Sequence, residues 1–119
     1  MTTPPTTTPS DSDASPQTGA DFAELGWTNK AKGDFNSAEA NFNQAKLMDD
    51  QLVDAYYGLG LIYKENSDES SAIRAFEKVI ELINANVLKD QPNRATILKN
   101  MTNSQINLMK SKGAGAQSV

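Results

Sequence analysis

Residues 56–76, which read YYGLGLIYKENSDESSAIRAF, decide the fold of this chain. The polar break Asn66-Ser67-Asp68 divides the stretch into two segments with helical spacing, so it predicts a helix, a turn and a second helix. Small residues at Gly60 and Ala72 let the two antiparallel helices approach closely. The residues that carry the pattern are Tyr56-x2-Leu59-Gly60-x2-Tyr63, followed by Ala72-x3-Phe76.

The same pattern occurs 34 residues earlier in the chain. A fixed period of this length indicates stacked supersecondary units, in which each unit buries its apolar face against the next. The positions that coincide at this offset are Phe22 and Tyr56, Leu25 and Leu59, Gly26 and Gly60, Lys30 and Lys64, Asp34 and Asp68, Ser37 and Ser71, Ala38 and Ala72, and Phe42 and Phe76.

These residues and their spacing resemble the tetratricopeptide repeat (TPR), a helix–turn–helix unit of 34 residues. The resemblance covers residues 19–52 as one repeat and 53–86 as a second, and it implies a right-handed α-α superhelix of helix hairpins. Two departures concern the first helix and the second turn. Asn29 stands where the second unit has Tyr63, and Ser67 stands where the first unit has Gly33, so we expect the second turn to be held differently.

The whole chain is predicted to be all-α, with about five helices. The helices are placed near residues 20–32, 35–48, 51–65, 69–85 and 93–111. Each break before the second, third and fourth helices offers an Asp or Ser that can cap the next helix. Residues 1–19, rich in Thr, Pro and Ser, are predicted to be a disordered tail, and residues 112–119 a flexible one.

The last predicted helix, residues 93–111, lies outside the repeat pattern and completes the TPR domain of residues 20–111. We expect it to cap the open face of the second repeat. Two repeats are fewer than the three or so usually needed for a continuous core, so a homodimer is a further expectation. Its apolar residues form an imperfect stripe of Ile97, Leu98, Met101, Ile106, Leu108 and Met109.

Composition removes most catalytic chemistry from consideration. The 119 residues contain no Cys and no His, which excludes thiol nucleophiles, histidine-ligated metals and His-based acid–base catalysis. No phosphate-binding or nucleophile-elbow motif occurs. No run approaches the ~20 apolar residues of a membrane-spanning helix. We therefore expect no enzyme, no cofactor, no metal site and no membrane insertion.

Charge is unevenly distributed along the chain. The net charge is −4, yet residues 89–119 carry +4. A phosphate-binding surface normally belongs to a basic domain with clustered Arg and Lys. Here the Lys and Arg residues are scattered and the rest of the chain is acidic. This pattern favours a solvent-exposed helix end and argues against a nucleic-acid partner.

The TPR resemblance implies a concave ligand surface formed by the first helix of each repeat. At the corresponding positions, Trp27, Tyr57 and Leu61 are the candidate partner-binding residues, with Lys30 and Lys64 at the rim. Small neighbouring residues are expected to leave the rings accessible. The alternative is that helix 93–111 or a second subunit fills this groove.

The sequence therefore predicts a non-catalytic TPR adaptor or scaffold that binds a peptide or helix of a partner protein in its groove. The alternative is a self-assembling structural protein whose aromatic face is a homo-oligomer interface. A complete chain is expected in the cytoplasm. If residues 1–20 are a linker from a removed anchor, a periplasmic or extracellular location is expected instead.

Overall fold

A computed structural model describes residues 15–118 of the chain, with side chains described for residues 15–111. Over these residues the protein is all-helical, as predicted, with five helices and no strand. Residues 1–14 of the predicted N-terminal tail lie outside the described residues. The helices are α1 (Gly19–Ala31), α2 (Phe35–Met48), α3 (Val53–Glu65), α4 (Glu69–Asn84) and α5 (Pro92–Ser118).

Side chains cap three of these helices. Asp34 and Asp68 accept hydrogen bonds from the first turns of α2 and α4, as predicted. Thr18 and Asp21 form a capping box that starts α1 inside the predicted tail. Backbone N–H groups of Gln17 and Thr18 lower the pKa of the Asp21 carboxyl, so the stabilisation is present above pH ~4 and is lost as the pH falls through the lowered pKa.

The start of α3 differs from the prediction of an Asp cap. Its N-cap position is Leu52, which makes no side-chain hydrogen bond. Asp49 instead accepts from the backbone N–H of Gln51 at 3.0 Å. Its carboxylate therefore stabilises the loop before the helix. The N–H group that it binds belongs to Gln51, two residues before Val53, the first residue of α3.

The turns that end α1 and α3 share one backbone geometry. Gly33 has φ +81° and Ser67 has φ +63°. In each turn this residue donates to a carbonyl three residues back and the next residue donates five residues back, at 2.9–3.0 Å. This is the Schellman arrangement. The expectation that Ser67 changes the second turn is therefore wrong, because serine adopts the conformation that glycine adopts in the first.

Two buried phenylalanine rings hold the helices together. Phe42 of α2 and Phe76 of α4 are fully buried. A β-carbon on Gly26 would lie 2.8 Å from the Phe42 ring, one on Gly58 would overlap the same ring, and one on Gly60 would overlap Phe76. Phe42 thus packs between the first repeat and the second. Its ring lies against backbone where only glycine, which has no β-carbon, leaves enough room.

Helix α5 packs against α4 and buries only part of its apolar surface. The expectation that one imperfect stripe covers the second repeat is correct for Leu98, Ile106 and Met109, which are buried together with Thr102. It is wrong for three other apolar residues, which face away from the core: Ile97, Met101 and Leu108.

Helix α5 is also longer than predicted. Its backbone continues to Ser118, through most of the residues assigned to a flexible tail after residue 111. No proline follows Pro92 in the sequence to end the helix. Among residues 15–118, no helix is both long enough and apolar enough to cross a lipid bilayer.

Replacing Ser67 by glycine is expected to stabilise the protein by about 1 kcal/mol, because a side chain at positive φ is strained and glycine is not. Urea denaturation followed by circular dichroism measures the change. Ser67→Ala is the matched control and should change the free energy of unfolding by less than about 0.5 kcal/mol, since it keeps a β-carbon at the same φ. Equal effects of the two variants would contradict a strained turn.

Gly58→Ala is expected to lower the free energy of unfolding by roughly 1–3 kcal/mol, because its β-carbon overlaps the Phe42 ring. Helix propensity alone predicts the opposite sign, by up to ~1 kcal/mol. In a Phe42→Leu background the same substitution should cost less, since the smaller side chain leaves room. A double-mutant cycle in urea measures the coupling, and strictly additive effects would contradict the contact.

Candidate protein-binding surface

Trp27 lies on α1 where the two repeats meet. Its half-buried side chain contacts the edge of Phe42, with ring centroids 5.0 Å apart and planes at 78°. A tilted contact with Tyr57 places those two centroids 6.5 Å apart. The indole therefore packs on the core with one side while part of its surface stays exposed.

Tyr57 is part of the core and does not offer an open face. Only 7% of the residue is exposed, and its ring lies 5.5 Å from that of Phe76. Burial raises the pKa of its hydroxyl, which is hydrogen-bonded to Gln105 of α5. The expectation of an accessible Tyr57 ring is wrong, because the ring packs between those of Trp27 and Phe76 and its hydroxyl is bonded to Gln105.

The other predicted site residues occupy the same two helices. Leu61 of α3 is half-buried and packs on the core cluster that contains Tyr57. Lys30 is partly exposed in the last turn of α1. Lys64 is exposed, and its Nζ donates to Oε1 of Gln105 at 2.8 Å.

Contacts at both ends of α3 set the position of α5. Arg94 at the start of α5 forms an ion pair with Asp54 at the start of α3. Lys64 at the end of α3 is bonded to Gln105, further along α5. The two helices therefore run side by side in the same direction. These polar contacts join α5 to the two ends of α3, whereas the packing of α5 is against α4.

On the other side of α3, a cavity of about 280 Å³ remains between α1 and the start of α3. Of the five predicted site residues, Trp27 lines it. Tyr57, Leu61, Lys30 and Lys64 do not line it. The lining consists of Ala20, Asp21, Ala23, Glu24, Trp27, Leu52 and Asp54.

Carboxylates make up the polar lining of this cavity: Asp21, Glu24 and Asp54. Asp21 is held in the capping box and Asp54 is paired with Arg94, whereas Glu24 lies one turn before Trp27 on α1. Helical spacing from Trp27 was the signal that could have identified Glu24. The cavity is thus acidic at the starts of α1 and α3, and Lys30 lies outside it, toward the end of α1.

Part of the chain matches a known family. The family model of the tetratricopeptide repeat matches residues 53–86, which form α3, α4 and the turn between them. This match and the five-helix fold support a TPR-like helical repeat. Neither a curated protein nor a solved structure matches the chain. Protein–protein interaction is the usual role of TPR units, and the family is typically non-enzymatic.

Among the described residues, no group of three or more His, Cys, Asp or Glu could hold a metal ion. Each carboxylate of the cavity already has a structural place. Asp21 caps α1, Asp54 is paired with Arg94, and Glu24 lies on the surface of α1.

Tyr57→Ala is expected to lower the free energy of unfolding by roughly 3–5 kcal/mol, because it removes a buried ring between Trp27 and Phe76. Tyr57→Phe keeps the ring and loses only the hydroxyl, so its cost should stay near or below about 1 kcal/mol. Urea denaturation followed by circular dichroism compares the two. A mild effect of Tyr57→Ala would show that the ring is a surface group after all.

Proposed function

We propose that this protein is a non-catalytic adaptor or scaffold that binds an extended or helical segment of another protein in the groove between α1 and α3. The observation that carries the proposal is the cavity in which the exposed part of Trp27 lies beside Ala20 and Ala23. Aromatic residues of this kind are the commonest anchors of protein interfaces. The small alanines leave room for a partner side chain against the indole.

The five residues predicted from the sequence have different parts in this proposal. Trp27 is the apolar anchor, and Tyr57 supports it from the core through their ring contact. Leu61 extends the apolar surface along α3. Lys30 and Lys64 form the basic end of the groove, with Lys64 oriented by its bond to Gln105.

The charges of the groove suggest the chemistry of the partner segment. Glu24 and Asp21 lie at the start of α1, where a cation of the partner would be stabilised. Lys30 lies almost two turns beyond Glu24 on the same helix. A segment with an apolar residue between a basic residue and an acidic residue would match this order, because complementary charges fix orientation and register.

Selection from a random peptide library tests this proposal and needs no candidate partner. Peptides enriched on the wild-type protein should combine an apolar residue with a basic one. Binding should change the fluorescence of Trp27, the single tryptophan of the chain. Glu24→Lys should weaken the affinity of the selected peptides at least tenfold, which is ~1.4 kcal/mol.

Glu77→Lys is the matched control, since it makes the same charge change on α4, outside the cavity lining. Its exposed ion pair with Lys110 is long, at 3.8 Å, so its loss should matter little. The control should bind the selected peptides as the wild type does. Peptides that bind Glu24→Lys equally well, or that leave Trp27 fluorescence unchanged at saturation, would refute the α1–α3 groove as the site.

A further inference from the structure

The outer face of α5 carries an apolar stripe with no partner among the described residues. Ile97, Met101 and Leu108 are 60%, 45% and 62% exposed. With Ser104 they lie at spacings of four, three and four residues, which places all four within an arc of about 60° on the helix. The described residues include five large apolar side chains that are exposed. Three of these five thus lie along one face of α5.

This part of α5 is also uncharged. From Asn100 to Met109 there is no Asp, Glu, Lys or Arg, although such residues make up 22% of the chain. Interface centres are depleted in charge, whereas solvated helix faces normally carry it. Apolar exposure and absence of charge therefore indicate the same thing, a face that is covered by protein.

We propose that a second copy of this chain covers the stripe, with the two α5 helices antiparallel. The spacing of four, three and four residues reads the same in both directions. An antiparallel copy therefore places Ile97 opposite Leu108 of the second copy, and Met101 opposite Ser104 of the second copy. Both contacts occur twice, as a twofold interface requires.

Charge distribution supports this arrangement over a parallel one. In the antiparallel register Arg94, which borders the stripe, lies opposite Ser111 of the second copy. A parallel pair would align the two helix dipoles side by side, which is unfavourable. A foreign partner would be selected by complementary charges or a shaped pocket, and the stripe offers neither, whereas it matches itself.

The size of the stripe sets the expected strength of the dimer. Ile97 to Leu108 span about 16 Å of helix, so the contact belongs to the small interfaces of weak, reversible complexes. A dissociation constant on the order of 100 µM is expected. The dimer would present two α1–α3 grooves in one particle, and it does not depend on what those grooves bind.

Cysteine cross-linking tests the register directly, because the chain has no native cysteine. Ile97→Cys and Leu108→Cys, mixed under mild oxidation, should form the disulfide-linked heterodimer. Each variant alone should cross-link at least tenfold more slowly, since like positions lie about 16 Å apart along the helix, too far for a disulfide. Faster cross-linking of Ile97→Cys with itself would overturn the antiparallel register.

Sedimentation equilibrium up to 1 mM protein tests the surface independently of cross-linking. Met101→Lys should raise the dissociation constant at least tenfold. Leu47→Lys, an equally drastic change at a 78% exposed residue of α2, should leave it unchanged. Circular dichroism checks that both variants remain folded. A wild-type protein that stays monomeric at 1 mM, or a dimer that Met101→Lys leaves intact, would overturn the proposal and assign the stripe to a different protein.

Discussion

The contact between a phenylalanine ring and glycine backbone is the constraint on which the rest of the structure depends. Phe42 reaches the backbone of Gly26 in its own repeat and of Gly58 in the next, and Phe76 reaches Gly60 in the same way. These contacts bring helix backbones closer than any side chain with a β-carbon would allow. The contact within a hairpin recurs at the repeat spacing, as Gly26 with Phe42 and as Gly60 with Phe76, whereas the single contact of Gly58 with Phe42 connects one hairpin to the next.

The candidate binding surface follows from this stacking. Once Phe42 connects the repeats, α1 and α3 lie side by side and Trp27 contacts both Phe42 and Tyr57. The indole is then too large to be fully enclosed, so part of it faces the cavity at the start of α3. The same stacking leaves the far side of α3 for α5. The open part of the groove therefore lies toward the first repeat.

The pattern of residues predicted the helices and their order well, because periodicity and capping are local properties. Asp34 and Asp68 cap the helices that they precede, and the TPR resemblance agrees with the family match at residues 53–86. The conformation of Ser67 was not predictable, since serine disfavours positive φ unless the packed hairpin imposes it. Glu24 was missed because its spacing from Trp27 places it on the same side of α1 but does not show that a cavity lies beside that side.

By itself, the sequence established the all-helical class, the repeat of 34 residues and the absence of Cys and His chemistry. The tertiary structure alone decided that Tyr57 is buried, that the groove opens between α1 and α3, and which apolar residues of α5 face inward. The physical reason is the range of the interactions. Helical period and capping depend on neighbours within one turn, whereas burial of a side chain depends on which helix lies beside it after the chain has folded.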